Sequence, residues 1–243
     1  MSWVGFEPPT QVFLGMHTVA LDGGHGLQRS ELSDRSDALT AALGGVQRSY
    51  WRRPPVRVWL GGGLCQAFLL ETPSGLRDEN EVRRLAAGLA PERTGLTGPC
   101  DAWVEDGAGG VPRVAAAVNS STLQRVRDGA AAAGVRVLSI APWWRAAQQA
   151  LAASLRDDQR GLMAIEDGES LTLLCSETSG YVSAATWLPA LDSASTGALR
   201  RRLLVGVEVT PAHQLNVRLD FDGECAAVPE GSFAFSRWTR VSA

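Results

Sequence analysis

Hydrophobic positions along the chain switch between a period of two and a period near 3.6, and the switches mark its elements. Gln11 to Leu21 alternates as two short strands around a turn near Gly15-Met16-His17, and a glycine-rich loop, Asp22-Gly-Gly-His-Gly-Leu, follows. Ser36 to Tyr50 has helical spacing, with Ala38, Leu39, Ala42, Leu43 and Val46 on compatible positions. Pro54-Pro55 ends that segment and starts a strand, Val56 to Leu60, which Gly61-Gly62-Gly63 separates from a second, Leu64 to Leu70. Asp78 to Leu89 is amphipathic, with Val82, Leu85, Ala86 and Leu89 on one helical face. A strand at Ala102 to Glu105 joins a buried-type strand, Val111 to Val118, through Asp106-Gly-Ala-Gly-Gly. Asn119-Ser120-Ser121 caps a helix running to Ala133, which ends at Gly134. Val135 to Ile140 is a strand, and Pro142 opens a helix to about Leu155 as its first residue.

After that helix the strand pattern restarts. Leu162 to Trp187 is broken by Asp-Gly and then Ser-Gly into three strands joined by tight turns. A helix-like stretch from Ser193 to Leu203, strands at Leu204 to Val209 and Leu215 to Phe221, and an aromatic tail of edge strand or loop complete the chain. A sheet that begins again past the middle predicts a two-part α/β architecture with mixed sheets and flanking helices. The first part covers residues 1–157, with a small inserted subdomain around 54–118, and the second, shortened part covers 158–243.

Composition narrows the chemistry. With 45% apolar and 20% charged residues in 243, the chain is expected to form a soluble globular protein. A net charge of −3 supplies no electrostatic footprint for nucleic acid. Arg52-Arg53 and Arg200-Arg201-Arg202 are read as solvated faces or helix ends. All 23 basic side chains are arginine. The absence of lysine excludes a P-loop, a protein-kinase strand lysine and a Schiff base to pyridoxal phosphate. Guanidinium does not deprotonate and cannot replace lysine as a nucleophile. Cys65, Cys100, Cys175 and Cys225 form no close pair, against a zinc or dithiol site. Cys65 and Cys175 lie in apolar strands as buried thiols, which points to a reducing compartment. The N-terminus lacks the basic and apolar regions of a signal peptide, and no apolar run reaches the ~20 residues of a membrane span.

The order of elements resembles the actin-like fold, whose two ribonuclease-H-like halves each open with a strand hairpin. Within it, the chain is similar to the PilM proteins of type IV pilus assembly and the cytoplasmic domain of the type II secretion protein GspL. Val56-Arg-Val-Trp-Leu, Ala67-Phe-Leu-Leu and Asn80-Glu-Val-Arg-Arg-Leu-Ala carry the likeness. So do Val114-Ala-Ala-Ala-Val with the capped helix and Gly134-Val-Arg-Val-Leu-Ser-Ile-Ala-Pro, and the restart at Leu162. The resemblance spans roughly Gln11 to Trp187 and rests on pattern and order.

It implies a non-catalytic scaffold at the cytoplasmic face of a pilus or secretion assembly, peripheral to the bacterial inner membrane. The implied partner is an inner-membrane protein bound through its cytosolic tail; a homodimer stays open. The alternative within the fold is an active ATPase or small-molecule kinase using ATP with Mg²⁺, and an unrelated α/β binding domain is a third. Actin-like ATPases place an Asp-x-Gly phosphate turn after the first strand of each half. Here the first such place reads Val12-Phe-Leu-Gly-Met-His and the second Ile165-Glu-Asp-Gly-Glu. Only the second keeps an acid and a glycine, so Asp167 and Gly168 are vestigial nucleotide candidates, weighed against a plain Asp-Gly hairpin turn. The chain is also short for PilM and lacks the span and periplasmic region of a complete GspL, as expected of a split or reduced relative.

The other candidates are weaker. Asp220-Phe-Asp-Gly-Glu would need a glutamate where Gly231 stands to be an EF-hand. His25, among glycines, resembles an oxyanion loop but has no G-x-S-x-G elbow to serve. His17 and His213 are isolated. Trp143-Trp144 either cover the junction between halves or anchor a partner.

Overall fold

The structure is a computed structural model that describes residues 9–23, 26–31, 37–46, 53–76, 78–107, 109–151, 161–177, 180–188, 214–219 and 232–235. The candidates His25, His213, Asp220 and Cys225, the helix-like stretch 193–203 and the strand 204–209 lie outside these residues.

Two sheets repeat one topology. In the first, β1 (Thr10–Leu14), β2 (Thr18–Gly23) and β3 (Gly26–Glu31) form an antiparallel meander, and β4 (Pro55–Leu60) and β8 (Arg136–Pro142) extend it in parallel beside β1. In the second, β9 (Gly161–Glu166), β10 (Leu171–Glu177) and β11 (Gly180–Trp187) form the same meander, and β12 (Gln214–Leu219) and β13 (Ser232–Phe235) extend it in parallel beside β9. The strand orders are therefore β3-β2-β1-β4-β8 and β11-β10-β9-β12-β13. This duplication is the ribonuclease-H-like repeat expected from the restart at Leu162.

Between β4 and β8 the chain makes an excursion. β5 (Cys65–Leu70), α2 (Glu79–Thr94), β6 (Cys100–Val104) and β7 (Arg113–Asn119) form an antiparallel unit whose order continues the second sheet as β11-β5-β7-β6. The junction is one strand pair, Ala185 opposite Phe68, reinforced by the Ala67 amide donating to Thr186 Oγ1 at 2.9 Å. Strand alternation divides two cores across this sheet. Cys65, Ala67, Val114, Ala116 and Val118 face the main core with α3 (Ser120–Ala133) and α4 (Trp143–Leu151). Phe68, Leu70, Ala115 and Ala117 face α2, meeting Val82, Ala86 and Ala90. α1 (Asp37–Gly44) packs on α3 over the first sheet.

Local chemistry sets the boundaries. Asp78 caps α2 by accepting from the Asn80 amide at 2.9 Å, with Glu79 and Glu81 in the positive first turn. The helix was expected to stop at Leu89, but it runs through Pro91 to Thr94. Pro91 is exposed in the last turn, and its carbonyl accepts the Gly95 amide at 3.0 Å. Gly134 ends α3 at φ 70, where its amide and that of Val135 close the last carbonyls. Asn119 stands at the expected N-cap but makes no side-chain capping bond. Of the loop expected over Asp22 to Leu27, Asp22 and Gly23 belong instead to β2 and Gly26 and Leu27 to β3, with Gly23 paired to Gly26. Pro142, expected as the first helical residue, is the last residue of β8 opposite Leu60, a strand end where its missing donor is harmless.

The thiols behave as expected for core residues. Cys65 and Cys175 are both buried, and burial pushes the Cys65 thiol up to about 12, far from reactive thiolate.

Candidate functional site

The two meanders bring their first turns face to face. In the first, the Gly15 amide donates to the Thr18 carbonyl at 2.7 Å, closing a turn around Met16 and His17. In the second, β9 ends at Glu166, Gly168 takes φ 83 in the turn, and the Asp167 amide donates to the Ser170 carbonyl at 3.2 Å. Beneath both, Gly61 after β4 donates to the Leu14 carbonyl at 2.8 Å, placing Gly61-Gly62-Gly63 along the seam.

Asp167 is buried in this seam. Its Oδ1 accepts the Ser170 amide at 2.8 Å and the Glu169 amide at 3.1 Å, and its Oδ2 accepts the Gly62 amide of the first half at 2.7 Å. The Ser170 hydroxyl lies 2.9 Å from both oxygens. Burial raises the carboxyl above its ordinary value, while the four donors from Gly62, Ser170 and Glu169 pull the other way. Gly62 is required by close approach: a Cβ there would lie 2.4 Å from Ser170 Oγ and 2.9 Å from Thr172 Oγ1.

Glu169 reaches back across the same seam. Its Oε1 accepts the His17 amide at 2.9 Å and its Oε2 accepts the Met16 amide, joining positions 152 and 153 residues apart. The carboxylate lies over Gly15, where an added Cβ would fall 2.6 Å from Oε2. A small cavity of about 30 Å³ beside the turn is lined by Leu14, Met16, Leu39, Leu64, Thr122 and Arg125. That is roughly one water's room, against the several hundred Å³ of typical ligand pockets.

Of the residues singled out in the sequence, the structure thus brings together Asp167, Gly168 and the Gly15-Met16-His17 turn. Glu169, Ser170 and Gly62, which complete the constellation, were not singled out. The glycine run was the available signal, since three glycines between two buried strands mark a close backbone approach. His17 contributes its backbone amide, and its side chain is exposed. Trp143 and Trp144 are both buried, and so are not a free anchor: Trp143 meets Phe13 and Trp144 meets Trp103, each edge to face. Among the described residues no three His, Cys, Asp or Glu side chains are grouped to hold a metal ion.

A second polar cluster ties the excursion to both halves. Gln148 of α4 donates to Glu105 Oε1 at 2.9 Å and to the Tyr181 hydroxyl, which lies 3.5 Å from the same oxygen. Arg145 stacks on Trp103 at 4.7 Å beside them. Burial, aided by Asp106, raises the Glu105 carboxyl above its ordinary value of 4.5, against the Gln148 and Tyr181 hydrogen bonds and Arg145. A raised folded value means that the stability contribution is complete below the unfolded value and is lost as pH rises through the folded one. Wild-type stability is therefore expected to fall more steeply with rising pH, just above the ordinary carboxylate range, than that of Glu105→Gln. Urea unfolding of both proteins across weakly acidic pH checks this, and parallel profiles would refute it.

Comparison with known proteins fits this geometry. No family model matches the chain, and no curated protein matches it by sequence. Solved structures do match. The chain is similar to the PilM–PilN type IV pilus biogenesis complex, at TM-score 0.61 and 13% identity over 86% of this chain and 81% of that one. It is similar to the cytoplasmic domain of EpsL, an inner membrane component of the type II secretion system of Vibrio cholerae, at TM-score 0.51 and 15% identity, covering 86% and 80%. A Bacteroides thetaiotaomicron protein of unknown function with an actin-like ATPase fold matches at TM-score 0.54 and 11% identity, covering 88% and 82%. The chain has the actin-like fold, built from duplicated ribonuclease-H-like halves. No helix among the described residues is long and apolar enough to cross a membrane.

Proposed function

We propose that this chain is a non-catalytic actin-like scaffold at the cytoplasmic face of a type IV pilus or type II secretion assembly. It binds the cytosolic tail of an inner-membrane partner and takes no nucleotide. The observation that carries the non-catalytic reading is the seam itself. The place between the two first turns is filled by the chain's own acids: Asp167 is committed to Gly62, Glu169 and Ser170, and Glu169 to Met16 and His17. A nucleotide phosphate with Mg²⁺ needs free amides and a free carboxylate, and neither turn offers both. These residues do not fit ATP–Mg²⁺. The likenesses to the PilM–PilN complex and to the EpsL cytoplasmic domain support the partner reading. Recognition of an extended tail by strand or groove addition is physically reasonable for such a sheet protein.

Two measurements test the two halves of the reading. Titration calorimetry of the full chain with ATP and Mg²⁺ is expected to give no binding heat up to millimolar nucleotide, and Mg²⁺-dependent binding would restore the ATPase alternative. Immobilised synthetic tails of inner-membrane pilus and secretion proteins are expected to retain the folded chain. Failure of every tail to do so would refute the scaffold reading.

A further inference from the structure

We propose that Glu169 is a built-in anion, an intramolecular latch that occupies an amide cradle in the first half and holds the second half against it. Three observations carry this, independently of any membrane partner. First, the Met16 and His17 amides take one carboxylate oxygen each, the two-point geometry by which successive backbone N–H groups in a turn hold an external anion. Second, the carboxylate is aimed before it closes. The Glu169 amide is fixed on Asp167 Oδ1 at 3.1 Å and the next amide, Ser170, at 2.8 Å, so little backbone freedom is lost on latching. Third, the opposing turn is shaped for it. Gly15 lacks the Cβ that would lie 2.6 Å from Oε2 and 2.9 Å from Cδ. Since the clash would fall on the end of a flexible side chain, Gly15→Ala would expel the carboxylate and leave it intact.

The cradle recognises two oxygens of an anion, and the same chemistry describes a tetrahedral oxyanion. Inorganic sulfate therefore serves as the probe of an unlatched cradle. Hydrogen exchange is measured on the full chain by mass spectrometry, on a peptide covering Met16 and His17, with a peptide from β4 reporting that the fold is intact. Loss of these charge-assisted hydrogen bonds is expected to speed exchange roughly tenfold or more. That acceleration is expected in Glu169→Ala and Gly15→Ala. A smaller one is expected in Glu169→Gln, which keeps a single acceptor oxygen and no charge. Sodium sulfate, against sodium chloride at equal ionic strength, is expected to restore protection in Glu169→Ala. It should leave wild type, whose cradle is full, and Gly15→Ala, whose Cβ crowds it, unchanged apart from a general salt effect common to all.

Exchange in Glu169→Ala and Gly15→Ala equal to wild type would overturn the latch. Loss of protection that sulfate does not restore, or equal sulfate protection of all proteins, would overturn the reading of the cradle as an anion site and with it the proposal. None of these outcomes depends on wild-type nucleotide binding, so the latch and the scaffold reading fail separately.

Discussion

Replacing Asp167 by alanine is expected to destabilise the folded chain by about 3–5 kcal/mol, measured as a shift of the urea unfolding midpoint. The side chain is small and the apolar area lost is trivial, so the effect comes from what it leaves behind. The Gly62 amide, the Ser170 amide and the Ser170 hydroxyl, all in buried contacts, lose their acceptor together. Each stranded group costs about 1–3 kcal/mol, and water entering the gap returns only part of that. Such a loss is a large fraction of the ~5–15 kcal/mol that holds a domain folded. Asp167→Asn sharpens the test. One amide oxygen still serves either Gly62 or the Ser170 turn, but the NH₂ meets a donor on the other side. Stability should therefore rank wild type, then asparagine, then alanine. A change below about 1 kcal/mol for the alanine variant would mean that the seam is not a structural clamp.

The seam also explains why the fold was legible in the sequence while the site was only half so. Strand and helix periods report burial, and burial here follows the regular rules. Val114, Ala116 and Val118 alternate with Ala115 and Ala117 to face two cores, and the restart at Leu162 repeats the first meander. Asp167-Gly168 was legible because a turn demands those residue types locally. Glu169 was not, because its partners lie 152 and 153 residues away and nothing local distinguishes it from a solvated acid. Gly62 was half legible: the glycine run marks a close backbone approach, but what approaches, the hydroxyl of another turn, is not defined until the second half is docked. A boundary is misplaced for a local reason: Gly23 and Gly26 look like loop residues until they pair with each other at the ends of β2 and β3.

Trp144→Ala is expected to cost about 3–5 kcal/mol, whereas Trp144→Phe should cost no more than about 1–2 kcal/mol. The contrast follows from two opposing contributions at one side chain. The ring is fully buried against Trp103 at 5.1 Å, so truncation to alanine opens a cavity in a core that can only partly collapse. The indole N–H, however, has no acceptor among the described residues, and a buried donor without one is a standing cost of about 1–3 kcal/mol. Phenylalanine retains most of the packing and removes that donor, so its smaller cavity is offset. Trp143 stands one position earlier on α4 and meets Phe13 of β1 at 6.1 Å, while Trp144 meets Trp103 of β6. The helix thus brackets the first sheet to the excursion, and loss of Trp144 should act mainly on the excursion. Hydrogen exchange in Trp144→Ala is expected to rise first along β6, with β1 and β4 retaining more of their protection. A phenylalanine variant as destabilised as the alanine variant would show that the N–H is satisfied, and that the contact with Trp103 depends on the indole itself.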